Sequence, residues 1–61
     1  MDVMYENEAY KILADKGNDV YLIVNKSTGH VEVREPVLPT AKFKAHALLG
    51  ALKQFEALED K

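Results

Sequence analysis

The chain has no cysteine and no tryptophan, two prolines, three glycines and aromatics at only 8% of its residues. Without cysteine there is no disulfide framework and no thiolate, for either a metal or nucleophilic catalysis. The two histidines, His30 and His46, stand alone in the sequence, too few for a structural zinc site of the usual ligands. No apolar run approaches the length of a membrane span, and no charged-then-apolar leader is visible. A cytoplasmic protein is the expectation. With a net charge of −2, the chain lacks the basic excess of a protein that coats nucleic acid.

What remains is 61 residues, 48% hydrophobic and 30% charged, a globular composition near the lower size limit for independent folding. Ordering such a chain costs roughly 1.5 kcal/mol per residue, which a small core offsets only narrowly. With disulfides and a zinc site excluded, oligomerisation is the remaining reinforcement.

Punctuation falls at Lys16-Gly17-Asn18-Asp19, at Lys26-Ser27-Thr28-Gly29 and at Pro36 and Pro39. Between the first two lies Val20-Tyr21-Leu22-Ile23-Val24, and after the second comes the alternating run His30-Val31-Glu32-Val33-Arg34-Glu35. Both predict strands joined as a hairpin. A four-residue loop sets Asn25 against His30, Val24 against Val31 and Leu22 against Val33. Ile23 then meets Glu32, and Tyr21 meets Arg34, on the other face. The segment Tyr10–Ala14 predicts a third strand. A three-residue Lys16–Asn18 turn would place Tyr10, Ile12 and Ala14 opposite Val24, Leu22 and Val20. Tyr5, Ala9, Ile12 and Leu13 also share a helical face, but a strand covers the edge that a lone hairpin leaves bare.

From Thr40 onward the pattern predicts one helix to Leu58, with Thr40 as N-cap behind Pro39. Stepped at 100° per residue, Ala45, Leu48, Leu49, Leu52 and Phe55 fill one arc and Phe43, Ala47, Ala51 and Leu58 the arc beside it. Apolar coverage this wide exceeds the usual stripe of a surface helix and calls for burial on more than one side. The helix also carries lysines (Lys42, Lys44) at its start and acids (Glu56, Glu59, Asp60) at its end, the reverse of what its dipole prefers. Two antiparallel copies would make those charges complementary, unless the lysines pair with strand acids such as Glu32 or Glu35. Gly50, costly inside a helix, would permit close approach. A homodimer through Phe43, Ala47, Gly50, Ala51 and Leu58 is expected.

The expected fold is α+β: one domain over 1–61, a three-stranded antiparallel meander of order 1-2-3 within 9–35, a Pro-containing connection at 36–39, and a helix over 40–58 on one face. Residues 1–8 are expected to be frayed or only partly extended. Leu48, Leu49, Leu52 and Phe55 would meet Ile12, Leu22, Val24, Val31 and Val33. The outer sheet face would present Tyr21, Ile23, Glu32 and Arg34.

No catalytic residue and no cofactor are expected. Ser27 sits in a turn, where serine bonds its own backbone, and a Ser27–His30 pair lacks an orienting carboxylate and a pocket. Asp15, Asp19, Glu32 and Glu35 read as solvated strand ends, and the glycine turns match no phosphate loop. The expected function is a protein-interaction module that binds and modulates a larger partner through Tyr21, Ile23, Glu32 and Arg34. Tiny domains bare of catalytic groups are common among accessory proteins of phages and other mobile elements, an analogy of size alone. The alternative is a small nucleic-acid-binding protein whose anion contacts are Lys42, Lys44, His46 and Lys53, with Arg34.

Overall fold

A computed structural model describes residues 2–59, with side chains described through Ala57. Four strands, β1 (Val3–Glu6), β2 (Tyr10–Asp15), β3 (Val20–Asn25) and β4 (Val31–Glu35), form an antiparallel meander of order β1-β2-β3-β4. One helix, α1 (Leu38–Glu59), follows and lies on one face. The molecule is α+β, as its patterning predicts, but with four strands instead of three.

The additional strand is the N-terminal Val3–Glu6, paired with β2. Its anchor is Asn7. The Asn7 Oδ1 accepts hydrogen bonds from the backbone N–H groups of Ala9 (3.0 Å) and Tyr10 (2.8 Å). That closes an Asx turn, in which a short amide side chain replaces a backbone partner. The Asn7 Nδ2 meanwhile donates to the backbone carbonyl of Ala45 at 3.2 Å, tying the β1–β2 turn to α1. Only the folded chain brings these two segments, 38 residues apart, together.

The β2–β3 register is one residue away from the expected one. Asp15 pairs with Val20, so the loop is the four residues Lys16–Asp19, not three. Asn18 bonds back to Asp15 through both its backbone and its side-chain amide, and Asp19 adopts φ 56°. Aspartate tolerates this left-handed region better than most residues. A slip of one residue exchanges the faces of a strand. Ile12 therefore pairs with Ile23, and Leu13 with Leu22.

The β3–β4 pairing holds the expected Val24–Val31 contact and the Asn25–His30 hydrogen bond, then breaks step. A bulge on β4 sets Ile23 against Val33, Leu22 against Arg34 and Tyr21 against Glu35. The extra residue sends Val31 and Val33 to opposite faces. The loop before it is fastened by Asn25, whose Oδ1 accepts from the backbone N–H groups of Ser27 (2.8 Å) and Thr28 (3.2 Å).

These shifts decide the core. Tyr10, Ile12 and Ile23 from the sheet meet Ala41 and Ala45 from α1, with Tyr5, Ala9, Tyr21, Val33, Leu38, Leu48 and Leu49 packed around them. Ile12, Ile23, Ala41 and Ala45 are wholly enclosed. The expected core set of Leu22, Val24 and Val31 lies on the other face of the sheet, sharing it with Leu13 through the pairings Leu13–Leu22 and Val24–Val31. Leu52 and Phe55, expected beneath the helix, are exposed instead. The sheet offers bulky tyrosine and isoleucine side chains, so the complementary side of the helix is alanine, which lets the backbone approach closely.

The helix begins at Leu38, two residues before the expected Thr40, with Thr40 inside the first turn. Proline fits there because the first helical N–H groups need no intrahelical partner. The Val37 carbonyl accepts the Ala41 N–H at 3.2 Å. At about 1.5 Å per residue, the 22 residues of α1 span roughly 33 Å, much more than a strand of four to six residues. The molecule accordingly measures 44 × 20 × 14 Å. Its surface of 4395 Å² exceeds the roughly 4,000 Å² expected of a compact 6.9 kDa monomer.

Candidate interaction surface

The helix half beyond Leu49 has no sheet beneath it that buries it; residues 50–57 are all exposed. On α1, residues spaced by four form a ridge along the surface. Phe43, Ala47, Ala51 and Phe55 make one such ridge, exposed along its whole length. Phe43 is 74% exposed and Phe55 65%. The ridge has an aromatic knob at each end, about 18 Å apart at the helical rise, and a low saddle of alanines between them. Gly50 lies exposed beside the saddle, and a Cβ built there would meet nothing within 4 Å. Packing within the chain therefore gives no reason for glycine at this position. Leu58, the fifth residue of the expected dimer surface, has its side chain outside the described set.

The expected patch on the outer sheet face does not assemble. Ile23 is 0% exposed beneath α1, and Tyr21 is half-buried on the same side. Glu32 and Arg34 are exposed on the edge strand β4. The cause is the pair of register changes, a fourth turn residue and a bulge, that no periodicity announces. The true open face carries Leu13, Leu22, Val24 and Val31, with Lys11 and Arg34 paired into the same rows. Leu22 and Val24 are nevertheless buried on it, at 7% and 5% exposure.

The candidate anion contacts do not form a free cationic line. Lys44 pairs with Glu35, the strand acid weighed as its intrachain partner, and Lys53 pairs with Glu8 at 3.1 Å. Lys42 and His46 are exposed, and Lys42 makes no ion pair among the described residues. A phosphate chain would thus have to compete with two internal carboxylates. The lysine-first polarity of α1 is partly explained by the contact of Lys44 with Glu35 on β4.

A further ion pair, Lys26 to Glu6 at 2.6 Å, joins the β3–β4 loop to β1. Lys26 Nζ also donates to the Asn7 carbonyl at 3.1 Å. The hydrogen bond from Lys26, and then its charge, hold the Glu6 carboxyl below its ordinary pKa. A lowered native pKa means the folded state binds fewer protons, so stability from this pair is present above the unfolded value near 4.3 and fades as pH falls through the depressed native value. Glu6→Gln should flatten that part of the acid limb. Urea midpoints at pH 6 and pH 3 test it: the wild type should lose more between the two than the variant.

A depression of about 50 Å³ lies at the β2–β3 turn, lined by Ala14, Asp15, Lys16, Asp19, Val20 and Tyr21. Small-molecule sites are commonly several hundred Å³, so this one holds little more than water. Among the described residues no three acidic, histidine or cysteine side chains gather as a metal site, and no helix is long and apolar enough to cross a membrane. Comparison with protein-family models, with curated protein sequences and with solved structures finds no match to this chain.

Proposed function

We propose that this chain is a small non-enzymatic interaction module that docks on a larger protein through the exposed ridge of α1. The supporting observation is the exposure of Phe43 and Phe55 on either side of an alanine saddle. Exposed aromatics around a low, flat contact are the anchors that dominate binding energy in protein interfaces. The ridge suits an amphipathic helix of the partner, laid across Ala47 and Ala51 with its apolar side between the two rings. The site thus moves from the four sheet residues of the sequence reading to the helix, because the sheet's central isoleucine is enclosed.

The test is a paired substitution, Phe43→Ala with Phe55→Ala. Both rings are largely in solvent, so folding stability should change by no more than about 0.5 kcal/mol for each. Capture of a specific protein from native lysate should fall by tenfold or more, a loss of about 1.4 kcal/mol or greater. Undiminished capture by a folded double variant would remove the ridge from the binding surface.

A further inference from the structure

Strand β1 forms one edge of the sheet and is seated by little apolar burial. Val3 is 52% exposed and Met4 40%, and Tyr5 alone of the strand packs against the core cluster. The ladder to β2 is short and interrupted. Val3 pairs with Leu13, the register then shifts, and Tyr5 and Glu6 pair with Ile12 and Lys11. The β2–β3 ladder beside it runs unbroken from Tyr10–Asn25 to Asp15–Val20.

Charge supplies what burial does not. Asp2, just before β1, pairs with Lys16 of the β2–β3 turn at 3.6 Å. Glu6, the last residue of β1, pairs with Lys26 of the β3–β4 loop at 2.6 Å. These two loops lie at opposite ends of β3, so one lysine clasps each end of the edge strand. We infer that residues 2–6 form a strap that opens from β2 as a local unit, hinged at Asn7 and held shut by the Lys16 and Lys26 clasps. The strap is independent of the α1 ridge.

The hinge is fixed separately from the strand. Asn7 Oδ1 holds the Ala9 and Tyr10 N–H groups, Asn7 Nδ2 holds the Ala45 carbonyl, and Lys53 holds Glu8. None of these bonds involves residues 2–6, so the turn stays on α1 while the strand swings away. The clasps themselves are open to solvent: each of the four side chains keeps a third or more of its surface in water. Pairs so exposed are individually weak and are screened by salt, whose Debye length falls from about 30 Å at 0.01 M to about 3 Å at 1 M. Local opening is found where buried apolar contact is sparse, as it is here. Release of β1 bares the outer edge of β2, and a bare edge is a template on which a strand of another chain can pair. Ionic strength thereby sets how often that edge is open.

The experiment is amide hydrogen exchange of the whole chain, followed by NMR at about 0.02 M and about 1 M sodium chloride. The reporter is the Ala14 N–H, which donates to the Asp2 carbonyl at 3.0 Å, and the β3 amides are the internal reference. Ala14 should exchange faster than the β3 amides at both salt concentrations. Relative to them, its rate should rise at least about threefold at high salt. Asp2→Asn combined with Glu6→Gln removes both clasps and leaves the apolar contacts in place. That double variant should show the raised Ala14 rate already at low salt, with no further response to salt. Both side chains are exposed, and the wild-type comparison decides the matter should the variant not fold. An Ala14 rate equal to that of the β3 amides overturns the inference, because the strand then opens only with the whole molecule. So does a wild-type rate unmoved by salt, or a folded double variant that responds to salt like the wild type.

Discussion

Replacing Ile23 by alanine should lower the unfolding free energy by about 2–5 kcal/mol, the range for emptying a closed aliphatic site. Ile23 has no exposed surface and sits at the centre of the sheet, opposite Ile12 on one side and Val33 on the other, with Ala41 and Ala45 of α1 in the same cluster. Neither neighbouring strand can close the space without losing its ladder, and the helix is held above it by the Asn7 amide on the Ala45 carbonyl. A domain of this length has a total stability of about 3–9 kcal/mol at the usual 0.05–0.15 kcal/mol per residue. The loss is a large share of that total, so the urea midpoint should fall well below that of the wild type. Urea denaturation followed by circular dichroism measures it. Retention of the wild-type midpoint would mean that Ile23 is not under the helix, and the register drawn here would be wrong.

The second large effect is expected from adding atoms. Ala45→Leu should destabilise by about 1–3 kcal/mol, because Ala45 is wholly enclosed where α1 crosses the sheet and the added methyl groups have no space. Its neighbour Ala47, exposed on the ridge, provides the control. Ala47→Leu should leave stability within about 0.5 kcal/mol of the wild type. The contrast between two alanines two positions apart distinguishes the packed side of α1 from its free side. Equal midpoints for the two leucine variants would show that α1 is not seated through its alanines.

The two faces of the sheet explain why so much of the architecture was readable and its interior was not. Period-two patterning and the β-branched run Val20–Val24 identify strands locally, and the four-residue loop after Asn25 correctly aligns Val24 with Val31. Yet Leu13, Leu22, Val24 and Val31 are as apolar as Ile12, Ile23 and Val33. When both faces are greasy, alternation does not say which is covered. That choice turned on one extra residue in the Lys16–Asp19 turn and one in the β4 bulge, each of which inverts the side of everything that follows. Strand β1 was missed for a related reason. Val3-Met4-Tyr5-Glu6 is short and weakly patterned, and what holds it is a side-chain amide reaching a helix far along the chain.

On the helix, the sequence correctly indicated an excess of apolar surface, because helical spacing is a local property and can be counted on a wheel. Which part of that surface stays uncovered was decided by length and shape. The sheet accepts only Leu38 to Leu49, through Ala41 and Ala45 at the centre with the expected Leu48 and Leu49 packed beside them, while the expected Leu52 and Phe55 stay exposed. By itself the sequence determined that Tyr10–Ala14, Val20–Val24 and Val31–Glu35 extend and that the chain after Pro39 coils, with the β3–β4 loop placed correctly. Only the tertiary structure decided which face of the sheet is the core, which lysines are neutralised from within, and which phenylalanines stand in solvent. The reason is physical: propensity and periodicity act over a few residues, whereas register and burial depend on groups separated by most of the chain.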